Sequence, residues 1–433
     1  MGIRRRILEI ALPSMGASVF YMLYSVVDLM WIGRLGSEAV ASVTMALSFY
    51  NVNYILNEIF GVASVVMLSR RWGEGNKEEF ERIGRQIVAY KFLSGLFLSL
   101  LTIPMAPSLM GWLGGGKVPP GDAIAYYRFR ALFLPFSFLG GTMMTTFRSI
   151  GDTKTLFYIS SIWSSVNLIL DPVLMFWMKM GIVGSALASG ISETAAMIHG
   201  FLWAEKKWKV WMLKPARLEL FVLKRVFTIG GPSLLDSVNW NLSRMVTVKI
   251  FASYGVVAAA TFGIFARVVE MAWTVGFALE GAITTLVGQS LGAKDKGRAE
   301  EVFKEGVKIS LLLGTLISIV VAVFSHPISA FFSSDNSLID SATAFLRLSS
   351  FGFAFMLLMN ASYGALVGGG RTIDTLYIGM ASNWLFRIPL LLLLSKIGID
   401  YVFLGPAFSS SMAFGSIVGL LIARRRKWLE VEV

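Results

Sequence analysis

The sequence contains no cysteine. Disulfides, thiol catalysis, iron–sulfur clusters and cysteine-type zinc sites are therefore excluded, and the redox compartment is left open. Histidine is almost missing too. His199 and His326 are too few and too far apart for a His-rich metal site, and they leave little scope for a membrane hydrolase. Charge is scarce: Asp, Glu, Lys and Arg supply 15% of 433 residues, against about 25% in soluble globular chains. Neither Gly114-Gly115-Gly116 nor Gly368-Gly369-Gly370 is followed by GK[ST], so no phosphate-cradling loop is present and ATP drive within this chain is excluded.

What fills the space is apolar. Hydrophobic residues make up 55% of the chain and the mean hydropathy is +0.67. The N-terminal apolar run, Ile7 to Ile32, is longer than a signal-peptide core and holds Pro13 and Asp28, so it reads as a retained first span. The pattern predicts an all-α integral membrane protein with twelve transmembrane helices in two pseudo-symmetric six-helix lobes. The spans are expected near 7–33, 40–67, 88–113, 124–147, 155–178, 181–203, 226–250, 256–287, 307–332, 343–367, 375–395 and 402–423, each long enough for a hydrocarbon core of about 30 Å. No soluble domain of any size fits between them.

Net charge is +12, yet its distribution points to a membrane rather than to nucleic acid. Of 39 Lys and Arg, 27 fall in one set of loops and the termini, and 6 in the opposite set. The positive-inside rule then places both termini in the cytoplasm. The stretch 204–225, with seven basic residues and Pro215, reads as a cytoplasmic linker between an N-terminal lobe, 1–203, and a C-terminal lobe, 226–433.

The two halves repeat. A shift of 219 carries Pro13 onto Pro232, Gly36 onto Gly255, Gly73 onto Gly292, Lys77 onto Lys296, Glu81 onto Glu300, Gly151 onto Gly370 and Thr153 onto Thr372. Six spans per repeat is even, so both halves share one orientation and should be related by a pseudo-two-fold axis along the membrane normal.

Ionisable residues inside spans are costly and so mark function or pairing. The first half offers Asp28, Glu58, Asp171 and Glu193, with Lys91, Arg128 and Arg130 placed near span ends; Glu193 reads as a simple interhelical bond. The second half offers Asp236, Glu270 and Glu280, with Arg244, Arg267 and Arg387 as basic partners, and Arg267 and Glu270 stand three apart on one helix face. Acid is thus in excess in the first lobe. Ser160, Ser164, Asn167 and Asp171 share one face of the fifth span. Pro172 follows and frees the Leu168 carbonyl. These hard oxygen donors suit Na⁺ or a proton-bearing network. Tyr21 and Tyr24 precede Asp28 at helical spacing, and Glu58 with Asn51 and Tyr54 is expected to line the same cavity. A proline kink with polar groups satisfied between helices is the competing reading for Asp171, and a structural Tyr–Asp bond for Asp28.

In VVDLMWIGRLG (26–36), RSIGDTK (148–154), NLILDP (167–172), GIVGSALAS (181–189) and VGQSLGAKDKGRAEE (287–301), with its counterpart SRRWGEGNKEEFE (69–81), the chain resembles the multidrug and toxic compound extrusion (MATE) family, in its prokaryotic branch with the cation site in the N-terminal lobe. The resemblance implies a monomeric antiporter of the cell (inner) membrane that exports cationic or amphipathic organic compounds in exchange for H⁺ or Na⁺, with no other cofactor. It assigns cation coupling to Asp28, Asn167, Asp171 and Ser189, where the family often shows Thr, and Na⁺ ligation to Asp28, Asn167 and Asp171. Tyr24 also matches. Another branch uses acids on spans 7 and 10, but here span 10 carries Asn360, and Asp236 lies a turn early. A flippase for a lipid-linked or amphipathic anionic substrate is the alternative within the same superfamily, and the acid excess argues against it. A receptor or enzyme is disfavoured by the short loops and the missing catalytic clusters.

Overall fold

The computed structural model describes residues 2–114 and 120–431, and every regular element among them is helical. The first half comprises α1 (Ile3–Gly33), α2 (Ser37–Gly73), α3 (Lys77–Gly114), α4 (Pro120–Leu132), α5 (Leu134–Ile150), α6 (Thr153–Pro172) and α7 (Ile182–Trp208). The second comprises α8 (Leu220–Ala252), α9 (Val256–Gly292), α10 (Lys296–Val323), α11 (Ser325–Phe332), α12 (Asn336–Ser349), α13 (Gly352–Gly368), α14 (Thr372–Met380), α15 (Ile388–Lys396) and α16 (Gly405–Arg424). The helices outnumber the spans because several spans are broken. Pro135 near the start of α5 cannot donate into the preceding turn, and α4 and α5 part at Phe133. α12 and α13 meet at a 50° bend, and a π-helical stretch, Ala381–Arg387, joins α14 to α15. Among the described residues, seven helical segments are by themselves long and apolar enough to cross a bilayer, or nine with the bent pairs. The three remaining expected spans, α4 with α5, α7 and α8, are helical but carry more polar residues. The architecture is that of twelve membrane helices in two lobes.

Helices overrun the expected spans. α2, α3 and α9 have 37, 38 and 37 residues, about 55 Å at 1.5 Å per residue. Much of the basic stretch 69–86 is therefore helix end rather than loop. There Arg71 pairs with Glu74 at 2.8 Å, and Arg82 reaches Glu79 at 2.6 Å and Glu219 at 2.5 Å. The Arg82 guanidinium holds both of its carboxylates below the usual range.

The repeat is visible in the backbone. α1 and α8 end at Gly33 and Ala252, α2 and α9 span Ser37–Gly73 and Val256–Gly292, and α3 and α10 begin at Lys77 and Lys296, all 219 apart. Left-handed turn residues recur at the same offset: Gly36 (φ 111°) with Gly255 (114°), Gly75 (70°) with Lys294 (58°), Gly151 (85°) with Gly370 (80°), and Lys179 (57°) with Gly398 (78°). The first and third pairs keep glycine in both halves, where the missing Cβ makes this conformation cheap.

The chain divides into two compact units, Leu12–Gly230 and Gly231–Val433, the latter joined by Met1–Ala11. The passages between units fall inside α1 and α8, whereas the sequence division runs at 204–225 and leaves residues 1–11 with the first lobe. The non-helical part of that stretch, 209–219, is fixed to the first unit. Val210 and Met212 are buried, Arg85 Nε donates to the Trp211 carbonyl at 2.7 Å, and the Tyr90 hydroxyl donates to the Glu219 carbonyl at 2.9 Å.

Candidate functional site

In the first unit, small residues let the helices close around the acids. Gly184 on α7 is one case: a Cβ there would stand 2.7 Å from the backbone at Leu174 and Met175. That backbone belongs to a π-helical turn, Val173–Trp177, which follows Pro172. The extra residue in the turn accommodates the proline and ends α6 just beyond Asp171.

Asp171 and Asn167 lie one turn apart on α6, and both are buried, at 0% and 2% exposure. None of their four side-chain polar atoms has a hydrogen-bond partner. A buried carboxyl and amide left unsatisfied together are unusual, since nearly all such groups find partners. The Asp171 carboxyl stands against that of Asp28 on α1. Asp28 accepts a hydrogen bond at 2.9 Å from Ser185 on α7. Ser189, one turn further on, instead shares a 3.1 Å hydrogen bond with the Tyr24 hydroxyl, and the Tyr21 ring lies 5.7 Å from that of Tyr24. Three helices thus bring Asp28, Asn167, Asp171, Tyr24 and Ser189 to one place, with Ser164 half-buried a turn before Asn167.

Asn51 and Glu58 are exposed on α2. Buried Asn53 between them donates to the Tyr127 hydroxyl at 2.7 Å. Among the described residues no group of three His, Asp or Glu side chains gathers as a metal site. A cation at Asp28 and Asp171 would therefore be held by two carboxyls with the Asn167 amide oxygen and hydroxyls, a donor set that fits Na⁺ or a proton.

Two bases correct the picture of a first lobe whose span interiors hold almost no base. Lys91 and Arg130 are buried, at 1% and 7% exposure. Arg130 Nη2 donates to Glu193 Oε1 at 2.9 Å, its guanidinium lies 4.6 Å from the centre of the Tyr50 ring, and the Ser137 hydroxyl donates to the other Glu193 oxygen. Glu193 is the interhelical bond the sequence suggested, and Arg130 is its partner. The α4–α5 break hides this arginine in the sequence, because its distance from a span end is legible only once the break is placed. Ser185 was equally missed, although the i, i+4 spacing of Ser185 and Ser189 in GIVGSALAS carried the signal.

In the second unit Asp236 is buried, within 3.3 Å of Asn239 Nδ2 and in contact with Trp240 and Tyr363. Glu270 is forked between Arg244 (2.7 Å) and Arg267 (3.0 Å), all three side chains being at least one-third exposed. Asn360 is buried against Gly276.

The MatE family model matches the chain twice, over residues 13–173 and 232–393, so the two matches begin 219 residues apart. A probable multidrug resistance protein, NorM of Thermotoga maritima, is 24% identical over 98% of this chain and 93% of its own length. Among solved structures, the MATE transporter VcmN of Vibrio cholerae superposes with a TM-score of 0.90 at 20% identity, covering 99% of this chain and 97% of that one. A MOP superfamily transporter from Pyrococcus furiosus gives 0.88 at 18% identity, covering 100% and 98%. With the matched regions taking in most of the sequence and both halves of the repeat, the chain belongs to the MatE family and is a helical membrane transporter, not an enzyme.

Proposed function

We propose that this protein is a multidrug exporter, a secondary active antiporter that expels cationic or amphipathic organic compounds in exchange for H⁺ or Na⁺ by alternating access. The observation that carries the proposal is the contact of the Asp28 and Asp171 carboxyls beside an Asn167 amide that has no partner. Two carboxyls held together in a membrane interior call for a positive charge between them, and a proton, a sodium ion or an organic cation can supply it. Arg130, a buried base of the same unit, is already engaged by Glu193. Coupling then arises because one pair of carboxyls serves the ion in one half-cycle and the drug in the other. Tyr21 and Tyr24 offer flat faces to an aromatic cation. The naming of relatives as multidrug resistance and export proteins supports the same reading.

The protein acts as a monomer in the cell membrane with both termini in the cytoplasm, in keeping with the 27-to-6 basic asymmetry. The test is efflux of a fluorescent organic cation from proteoliposomes under separately imposed pH and Na⁺ gradients. Export driven by one of these gradients is expected. Movement that ignores both, or transport of an anionic amphiphile alone, would remove the antiport reading and favour the flippase.

A further inference from the structure

The second unit holds a cavity of about 100 Å³ that the coupling chemistry does not use. Its walls come from α8, α9, the π-helical stretch before α15, and α16, and they include Trp240, Arg244, Glu270, Trp273, Arg387 and Phe408. Arg387 decides its character. The side chain is 3% exposed, yet no carboxylate lies within ion-pair distance among the described residues. Its Nε donates to Ser411 Oγ at 2.9 Å, one Nη2 hydrogen points at the Met412 sulfur 4.0 Å away, and its guanidinium lies 4.3 and 5.1 Å from the ring centres of Phe408 and Trp240.

A guanidinium has five N–H donors, so most of them are left for a ligand. Aromatic faces soften the burial of such a charge, but a planar acid group satisfies it better, because two parallel N–H···O bonds match the fork. The other charges in the wall agree. Arg244 and Glu270 cancel through their 2.7 Å contact, which leaves Arg387 as the surplus. Size narrows the ligand further. At about 100 Å³ the cavity is smaller than the ~150 Å³ that admits benzene, so it encloses the acid group and part of one ring, with the rest of that ring in its open mouth. Trp240 and Trp273, edge to face with centres 5.4 Å apart, supply the surface for that ring.

We infer that this cavity is a binding site for a small aromatic monoanion, its carboxylate or sulfonate seated on Arg387 and its ring against Trp240 and Trp273. The site lies in the unit opposite to the acidic pair and has the opposite polarity, so it does not depend on the coupling chemistry proposed above.

Equilibrium dialysis of benzoate against the purified full chain in uncharged detergent tests the assignment. One saturable site is expected, at least tenfold weaker in Arg387→Gln and severalfold weaker in Arg244→Gln, whose half-exposed side chain can be removed without unfolding the lobe. Thermal melting identifies folded variants, and if Arg387→Gln does not fold, Arg244→Gln and Trp240→Ala decide. Asp171→Asn should bind benzoate as wild type does even where it has lost coupled export. That separates failure at this site from failure of the antiport reading. The inference is overturned if wild type shows no saturable binding, if benzylammonium or decanoate binds as tightly as benzoate, or if the folded variants bind unchanged.

Discussion

Replacing Glu193 by Gln would leave the Arg130 guanidinium buried without its counter-charge. Breaking a buried ion pair from one side costs about 3–5 kcal/mol. Here the Glu193 side chain is 37% exposed while that of Arg130 is 9% exposed, so solvent recovers part of the loss and about 2 kcal/mol is the expected destabilisation. A kcal/mol moves the melting point of a 150–250-residue domain by about 2–4 °C, and proportionately less in a chain of this size, so a fall of roughly 3 °C should follow. A second effect separates this account from simple packing loss. The charge of Arg130 acts on Asp28 in the folded protein. Freed from Glu193, it competes with the coupling ion for the acidic pair. Purified Glu193→Gln should therefore both melt earlier and need several times more Na⁺, or a steeper pH gradient, for half-maximal export. The double variant Arg130→Met/Glu193→Leu should regain much of both losses. A Glu193→Gln protein that melts and couples as wild type does would refute the argument, and a double variant worse than either single change would refute its electrostatic basis.

Asp171→Asn and Asp28→Asn should each stay folded and inserted but lose gradient-driven export; concentration of substrate at the wild-type rate by either would sink the coupling assignment. Ser185→Ala removes one hydrogen bond that favours the ionised Asp28 carboxyl, worth about 1 kcal/mol, and should tighten apparent proton affinity about fivefold, whereas Ser189→Ala should act less because Ser189 meets Tyr24; equal effects in a dose–response series would contradict the geometry. Glu270→Gln disturbs only partly exposed pairs and should cost less than about 1 kcal/mol, rather than the larger loss a buried pair would bring, as a melting curve will show. Asp152 caps α6 and accepts from Lys207 at 2.7 Å and the Trp208 indole at 3.0 Å; Asp152→Ala should cost about 1–2 kcal/mol, measured by thermal melting. Single cysteines at 209 and 296 should label from the cytoplasmic side only, while the corresponding outside probe, Lys117, lies beyond the described residues.

The repeat was legible because turns depend on a few local residues. Gly36 and Gly255, or Gly151 and Gly370, announce themselves by chemistry that only their own backbone demands. The stripe of Asn167 and Asp171 was legible for a similar reason, since both lie on one helix and spacing alone fixes their face. What the sequence concealed depends on contacts between helices. That Ser185, not Ser189, serves Asp28 turns on how α7 faces α1, which spacing within α7 does not fix. Arg130 looked peripheral until the break at Phe133 placed it inside. Glu58 and Asn51 share a helix with the buried Asn53, but neighbours in the chain do not share an environment when they sit on different faces of one helix.

The two passages between the compact units, Ala11–Leu12 in α1 and Gly230–Gly231 in α8, are themselves 219 residues apart, and each has a proline just beyond it, Pro13 and Pro232. Each unit therefore hands the chain to the other through the middle of a helix rather than through a slack tether. Gly230 is pinned, since a Cβ there would strike the Ile59 carbonyl oxygen at 2.0 Å, while Gly231 has open space around it. With one backbone hydrogen bond missing at each proline, each of these two helices has its weakest point in the backbone ladder next to the place where the chain leaves one unit for the other, so the crossing is made by continuous helix and not by loose chain.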